Sequence, residues 1–483
     1  MAPRLDLRAL AHLHLLDVDR ELHDQALAVV EGEVPSGLHG TLFRNGPGRF
    51  TRGTTRFAHP FDGDGYVVAT RFADQAVHVR SRFVQPRALI AEQAAGRVLY
   101  RGFGTPRPGG LAANALRLGF RNSANTNVLS HAGRLWALWE GGAPHQLDPA
   151  TLATLGEDTL DGLLAPRGAL RALGVAPTFS AHPRVDPATG ELWNFGLRWG
   201  LRQALVIYAR DAAGQTRVVS EHALPELSFI HDMALTERYV VVAAPAVRFD
   251  VARMLFGAST PVESLRARDG EPLALWLVPR DGRPATVVSG PPGFAFHIAG
   301  AYDRADGSVV CDLALMSAVP DLIDLDRTFG PSADGRSLAH LTRMIIDPTT
   351  RTMRSTVLAD DVALEMPVTA VPATHHHRHV WATAVPSGRP QPYHSSLARL
   401  DTLTGTIVRR DFYPALPSEP VLVPRPGARS ESDAWLLAFL HHPGTAAALL
   451  VLDAATLETE ARAMFPIALP PGLHGSWVSQ VGS

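Results

Sequence analysis

Lysine is missing from all 483 residues; the 45 basic positions are every one arginine. Chemistry that needs an amine nucleophile, such as a Schiff base with a carbonyl substrate, is therefore excluded. A GC-rich genome produces the same bias, so the absence limits what the chain can do without saying what it does. Cysteine occurs once, as Cys311 in the apolar run Val309–Leu315. No intrachain disulfide can form, and the thiol reads as a small buried hydrophobe. No stretch approaches the ~18 consecutive apolar residues of a spanning helix. The N-terminal segment is punctuated by charge and has no signal-type hydrophobic core, which makes a soluble cytoplasmic protein the expectation. A formal net charge of -2 with no basic run leaves no footprint for nucleic acid.

Among what is present, a turn pattern recurs. A short apolar run ends at an aspartate, a tight turn follows and a second strand-like run begins. Asp148, Asp186, Asp347, Asp401 and Asp453 head such turns, with looser copies at Asp211 and Asp281. Aspartate, proline, threonine and glycine form such turns because their side chains bond the local backbone or they tolerate its dihedrals. The nearest copies are 38, 52 and 54 residues apart, about the content of a four-stranded propeller blade. Strand-like runs lie between them, as in Leu135–Trp139, Ala204–Tyr208, Tyr239–Ala243, Leu273–Val278 and Trp435–Leu440. Helical periodicity is confined to Leu5–Val30, Leu111–Phe120 and Leu160–Leu173. A β-propeller with helical insertions accounts for this spacing best, with two sandwich domains as the main competitor. Residues 1–483 are read as one domain whose first 30 residues are partly helical.

Four histidines share an unusual setting. His182, His231, His297 and His474 each sit in an apolar or small-residue stretch, such as Thr178-Phe-Ser-Ala-His182 and Gly293-Phe-Ala-Phe-His297. A lone histidine in such a setting is more often a hydrogen-bonded core residue. These four are separated by 49, 66 and 177 residues, so only a fold that brings distant strands to one axis lets them meet. A propeller does this. Four neutral imidazoles with no carboxylate or thiolate among the ligands suit a divalent transition metal, with iron(II) a good candidate.

The chain resembles the carotenoid cleavage oxygenases nearly end to end. The likeness runs from Gly32–Pro47 to Leu473-His-Gly-Ser-Trp477. Between them lie His59-Pro-Phe-Asp-Gly-Asp-Gly65, Ala124-Asn-Thr-Asn-Val128, Leu138-Trp-Glu-Gly-Gly142, Ser180-Ala-His-Pro-Arg184, Phe229-Ile-His-Asp232, Gly293–His297, Glu365-Met-Pro367 and Glu419–Gly427. The likeness is greatest to the bacterial apocarotenoid oxygenases, which cut polyene aldehydes or alcohols and release retinal.

The resemblance implies an all-β, seven-bladed β-propeller, with helical insertions capping the face over an axial iron(II). His182, His231, His297 and His474 would be the iron ligands. Glu140, Glu365 and Glu419 would hold the far ring nitrogens of these histidines. Phe61, Thr126, Trp139, Phe229 and Phe296 would line an apolar substrate tunnel, although aromatics beside ligands are also ordinary core. O2 would be the co-substrate and an apolar polyene the partner. Leu111–Phe120 and Val251–Gly257 match the family's apolar tunnel mouth and would give a monomer peripheral contact with a membrane. The family's Asn and Glu three and six residues after the third ligand are here Gly300 and Asp303.

Other features carry less. Asp62-Gly-Asp-Gly65 lacks the later acidic ligands of a calcium loop and reads as a turn. Thr374-His-His-His-Arg-His379 reads as a surface loop able to pick up stray metal, and His441-His442-Pro-Gly as a hairpin tip. Gly63 and Gly65 lack the βαβ setting of a nucleotide site. The rival readings are a stilbene-cleaving enzyme of the same fold, an isomerase-like relative and a non-catalytic propeller that keeps its metal site. Stilbene cleavers pair a tyrosine with a lysine, which this chain cannot supply.

Overall fold

The computed structural model describes residues 13–166, 168–199, 202–268, 270–323, 338–386 and 394–479. Strands dominate because most segments are apolar on both faces, which suits a sheet covered by a neighbour on each side. Seven antiparallel sheets of four to six strands form the blades of a propeller, and two two-stranded pairs, Thr51–Arg52 with Thr55–Arg56 and Val247–Phe249 with Leu265–Ala267, lie outside them. From the first blade to the seventh the innermost strands are Gly475–Val478, Asn127–His131, Arg184–Val185, Met233–Leu235, Phe294–Asp303, Val362–Val368 and Val421–Pro424.

Seven apolar clusters fill the spaces between blades. Leu42 and Phe43 show how alternation builds them. Leu42 faces the last blade with Leu437, Phe439 and Val451, whereas Phe43 faces the second with Val128, Leu135 and Ala137. Trp136 turns the other way, into the space shared with Leu192, Val206 and Tyr208 of the third blade. The ring closes with both chain ends. Ala28–Gly32 adds an outer strand to the last blade, and Gly475–Val478 becomes the inner strand of the first, Arg44 opposite Gly475.

The aspartate turns are real, and the structure sorts them. Asp148, Asp211, Asp281, Asp347, Asp401 and Asp453 each join the third and fourth strands of a blade. Asp148, Asp347, Asp401 and Asp453 each accept N–H bonds from the residues two and three positions further on. Asp186 is the exception, because it joins the first and second strands of the third blade.

Three helical expectations give way. Within Leu5–Val30, Leu22–Ala26 is a strand and Ala28–Gly32 another; residues before 13 lie outside those described. Both are outer-edge strands, and Ala28–Gly32 is exposed throughout, so no period-2 signal marks it. Leu160–Leu173 is a set of turns ending in a short 3-10 helix, Gly168–Leu173. Leu160 and Asp161 have φ of 50° and 56°, a left-handed backbone that no α-helix can extend. In Leu111–Phe120 the helix stops at Asn114, and Leu116 has φ 56°.

Two histidine motifs also differ from expectation. His377 in the 374–379 run is buried rather than on a surface loop. It sits 2.8 Å from Asp312, which also takes two bonds from Arg343. A Cβ on Gly300 would meet the His377 ring at 3.2 Å, so the missing side chain at 300 is the space that ring uses. Asp303 bonds the N–H and guanidinium of Arg238 on the preceding blade. His442-Pro-Gly444 does lie in the turn of the hairpin between Ala434–His441 and Ala448–Asp453, but His441 itself ends its strand and is buried, its Nδ1–H donating to the Leu469 carbonyl.

Burial pushes the His441 imidazole down to about 3 and that of His145 to about 4. Both stay neutral in the folded chain while the unfolded chain takes up protons near 6.5. Stability should therefore fall as pH drops below about 6.5, by up to about 1.4 kcal/mol per unit for each group, until the folded values are reached. Urea midpoints between pH 7.5 and 5 should decline, and His441→Asn should flatten the slope. An unchanged slope in that variant would show that His441 contributes nothing to it.

Candidate metal centre

The four histidines converge. His182, His231 and His474 occupy the turns that lead into the inner strands of the third, fourth and first blades; His297 lies inside that of the fifth. All four are buried, and one donor nitrogen from each falls within 4.8 Å of the other three. Donors about 2.1 Å from one metal ion lie no more than about 4.2 Å apart, close to the spread of these four nitrogens. His182 Nε2 and His474 Nε2 already face each other at 3.1 Å.

Carboxylates stand behind these rings. His297 Nδ1 is 2.6 Å from Glu365, on the inner strand of the sixth blade. His474 Nδ1 is 2.8 Å from Glu419, which precedes the inner strand of the seventh. Glu140, just beyond the strand Arg134–Leu138 of the second blade, lies 2.7 Å from His182 Nδ1 and 3.7 Å from His231 Nδ1. It is out of line for a hydrogen bond to His182. A ring whose Nδ1–H faces a carboxylate turns the lone pair of Nε2 inward. Lone pairs pointed at one spot repel each other unless a cation lies between them, and His297 Nε2 is buried with no partner. The donor set fits a divalent transition metal.

Local backbone irregularities aim these groups. The strand carrying His297 slips register between Ala295 and Ile298, and that of Glu365 slips between Glu365 and Val368. Bulges of this kind redirect side chains next to active sites. At Met366 φ is 53°, and its N–H donates to Glu365 at 2.8 Å. Gly46 and Gly472 touch where the chain leading to His474 crosses the first blade; a Cβ on Gly46 would lie 2.6 Å from the Gly472 Cα.

The electrostatics follow burial and partners. Burial holds His182 and His231 well below the usual imidazole range. Burial opposes charge on His297 too, but the Glu365 carboxylate overrides it and raises that ring. Desolvation pushes Glu140, half-buried with no cationic side chain paired to it among the described residues, up to about 8. Desolvation acts on Glu419 too, yet His474 and Arg44 hold it down at about 2.

Arg44 was not singled out from sequence. It is buried, donating to Glu419 Oε2 at 3.2 Å, to the Leu473 carbonyl at 3.2 Å and to the Glu419 carbonyl. Asp232 and Arg184, both inside quoted motifs, form a second pair, with oxygens 3.0 and 3.2 Å from Arg184 Nη2. Asp62 and Asp64 do more than make a turn. Asp62 accepts from Phe103 N, Gly104 N and Thr105, while Asp64 is paired with Arg52 and Arg121.

Of the expected tunnel residues, Phe229 stacks with His231 at a centroid distance of 6.2 Å and Phe296 meets the same ring edge-on at 5.2 Å. Thr126 takes the N–H of His474 on its carbonyl. Phe61 contacts His59 and Phe103. Trp139 is buried against Gly141. The two segments expected at the tunnel mouth lie together, Leu116 N–H bonding the Leu255 carbonyl. Buried Arg101 ties them, donating to the carbonyls of Arg117, Met254 and Ser259. Leu111, Leu116 and Phe256 stay more than half exposed.

A propeller carrying four histidines and three carboxylates on its axis defines a class of oxygenases. The chain belongs to the RPE65 (retinal pigment epithelial membrane protein) family of carotenoid oxygenases, whose profile matches residues 15–479. It is 34% identical to the apocarotenoid-15,15'-oxygenase of Synechocystis sp., over 93% of this chain and 92% of that one. Resveratrol cleavage oxygenase 1 of Aspergillus fumigatus is 30% identical over 93% and 91%. The cobalt-substituted structure of the Synechocystis protein superimposes with a TM-score of 0.88 at 32% identity, covering 98% of this chain and 99% of that one. The protein is accordingly an oxygenase of the carotenoid-cleaving type.

Proposed function

We propose that the chain is an iron(II) dioxygenase that cleaves one C=C bond of an apocarotenoid aldehyde or alcohol into two carbonyls, with retinal among the products. The convergence of four histidine nitrogens within 4.8 Å carries this reading. His182, His231, His297 and His474 would hold the metal, and Glu140, Glu365 and Glu419 would fix their tautomers and offset its charge. When bound, iron(II) supplies the redox chemistry that lets O2 add to an alkene. Overall, the double bond and O2 become two C=O groups, and no separate acid or base is required. The protein's task is placement. Phe229 and Phe296 form an aromatic wall beside His231 against which a polyene can lie, with Thr126, Trp139 and Phe61 completing the lining.

Access fits the same substrate. No helix among the described residues is long and apolar enough to cross a membrane. Leu111, Leu116 and Phe256 instead project beside the exposed Arg117 and Arg253. An apolar rim edged with arginine suits peripheral contact with an anionic bilayer, from which a monomer would draw a lipid-soluble polyene.

Identity to a resveratrol-cleaving relative favours a second reading, stilbene cleavage, but the chain lacks lysine for the tyrosine–lysine pair expected of stilbene cleavers. Aerobic incubation of iron-loaded protein with apocarotenals and with resorcinol-type stilbenes separates the two. Retinal-length aldehydes are expected, with each of the two newly formed carbonyls labelled once from 18O2. Benzaldehydes would transfer the assignment to stilbenes, and no O2 uptake with either substrate would remove the catalytic reading.

A further inference from the structure

One buried carboxylate near the histidines has no part in the scheme above. Asp232 follows His231 directly and is 3% exposed. It touches no metal-site imidazole through a hydrogen bond. Its partners lie instead on the backbone of ligand-bearing segments. Oδ1 accepts the N–H of Met233 at 2.7 Å, two residues past His231. Oδ2 accepts the N–H of Ile298 at 2.7 Å, the residue after His297. Both oxygens take Nη2 of Arg184, two residues past His182, and that nitrogen also reaches the Ile298 carbonyl at 3.3 Å. A single carboxylate with its arginine therefore joins the third, fourth and fifth blades at the three places where their histidines leave the backbone. The fourth histidine, His474, is held separately by Glu419 and Arg44.

The geometry points to Asp232 as a positioning residue for the metal centre: braced by Arg184, it sets the spacing of His182, His231 and His297. The inference rests on the metal-binding reading above. Inner strands of different blades share no hydrogen-bond ladder, so their relative height and separation depend on contacts of this kind. The strand at His297 is also irregular, with a register slip ending at Ile298. Without an anchor, that bulge could settle at a different height and carry the ring with it. A charged acceptor bonded to two N–H groups and a guanidinium is among the stiffer local constraints a protein can build. Partners that orient metal ligands in this way are worth about 10–100-fold in metal affinity.

The test uses the full-length chain loaded with Co2+ and, anaerobically, with Fe2+. Dissociation constants come from chelator competition, ligand geometry from the cobalt d–d bands, and melting temperatures are taken with and without metal. Asp232→Asn keeps the shape but cannot accept from both N–H groups and Arg184 at once. It should bind either metal about 10–100-fold more weakly, shift the cobalt bands and lose part of the metal-induced rise in Tm. Arg184→Lys keeps the charge, but its shorter side chain does not carry a nitrogen to the place Nη2 holds against both oxygens; it should move the same readouts the same way by less. A merely structural role predicts something else: lower melting of the metal-free protein, with affinity and cobalt bands as in the parent. That result in Asp232→Asn would overturn the assignment. Should Asp232→Asn fail to fold, parent-like affinity and bands in Arg184→Lys would overturn it equally. A parent protein that binds neither ion would remove the metal reading itself, which separates the two failures.

Discussion

Replacing His231 with alanine is expected to empty the metal centre and abolish alkene cleavage. The ring is one of four donors whose nitrogens lie within 4.8 Å, all buried. Nothing nearby replaces it. Phe229 and Phe296 occupy its flanks, and Glu140, 3.7 Å from its Nδ1, stands behind the ring. Losing a partner that only orients a ligand already costs about 10–100-fold in affinity; losing the ligand should cost more. Metal content by mass spectrometry should fall from near one per chain to a few per cent. O2 uptake with an apocarotenal should drop to background, while the far-ultraviolet circular dichroism stays that of the parent. Parent-like metal content in the folded variant would take His231 out of the ligand set.

How much of this was visible in the sequence depends on where each signal comes from. The blades were legible because turns such as Asp148, Asp401 and Asp453 repeat at the same point of the sheet and the central strands are apolar on both faces. The histidines were legible as four similar stretches, each in a motif of the family. The outer strands were not. Ala28–Gly32 is exposed throughout and earns its place only by pairing with Thr459–Met464, a partner about 430 residues away in the chain. The same holds for contacts that cross blades. Asp232 beside His231 was in plain view, but nothing local says that its partners are Arg184 and Ile298. His377 looked like part of a polar loop because the space it fills is created by the missing side chain of Gly300, 77 positions earlier. Local pattern carries secondary structure and turn chemistry; pairing between blades is a property of the closed ring.

A second large effect is expected at Arg44, another contact that joins distant parts of the ring. Of the three carboxylates behind the histidines, Glu419 is the one paired with an arginine among the described residues, at 3.2 Å and with both side chains mostly buried. Arg44→Met would leave the Glu419 carboxylate buried without its cation, and removing one member of a buried pair costs about 3–5 kcal/mol. Glu419→Gln would strand the Arg44 guanidinium and also replace the acceptor that orients His474, so it should add a 10–100-fold loss of metal affinity. Removing both together leaves no uncompensated charge. The double variant should then be more stable than the sum of the single losses by about 1–3 kcal/mol, while its metal affinity stays as poor as that of Glu419→Gln alone. Urea unfolding of the four metal-free proteins measures the first quantity and chelator competition the second. Additive stabilities would mean that Arg44 serves the Leu473 and Glu419 carbonyls rather than the carboxylate. Recovered affinity in the double variant would mean that Glu419 acts on the metal through its charge rather than through the His474 ring.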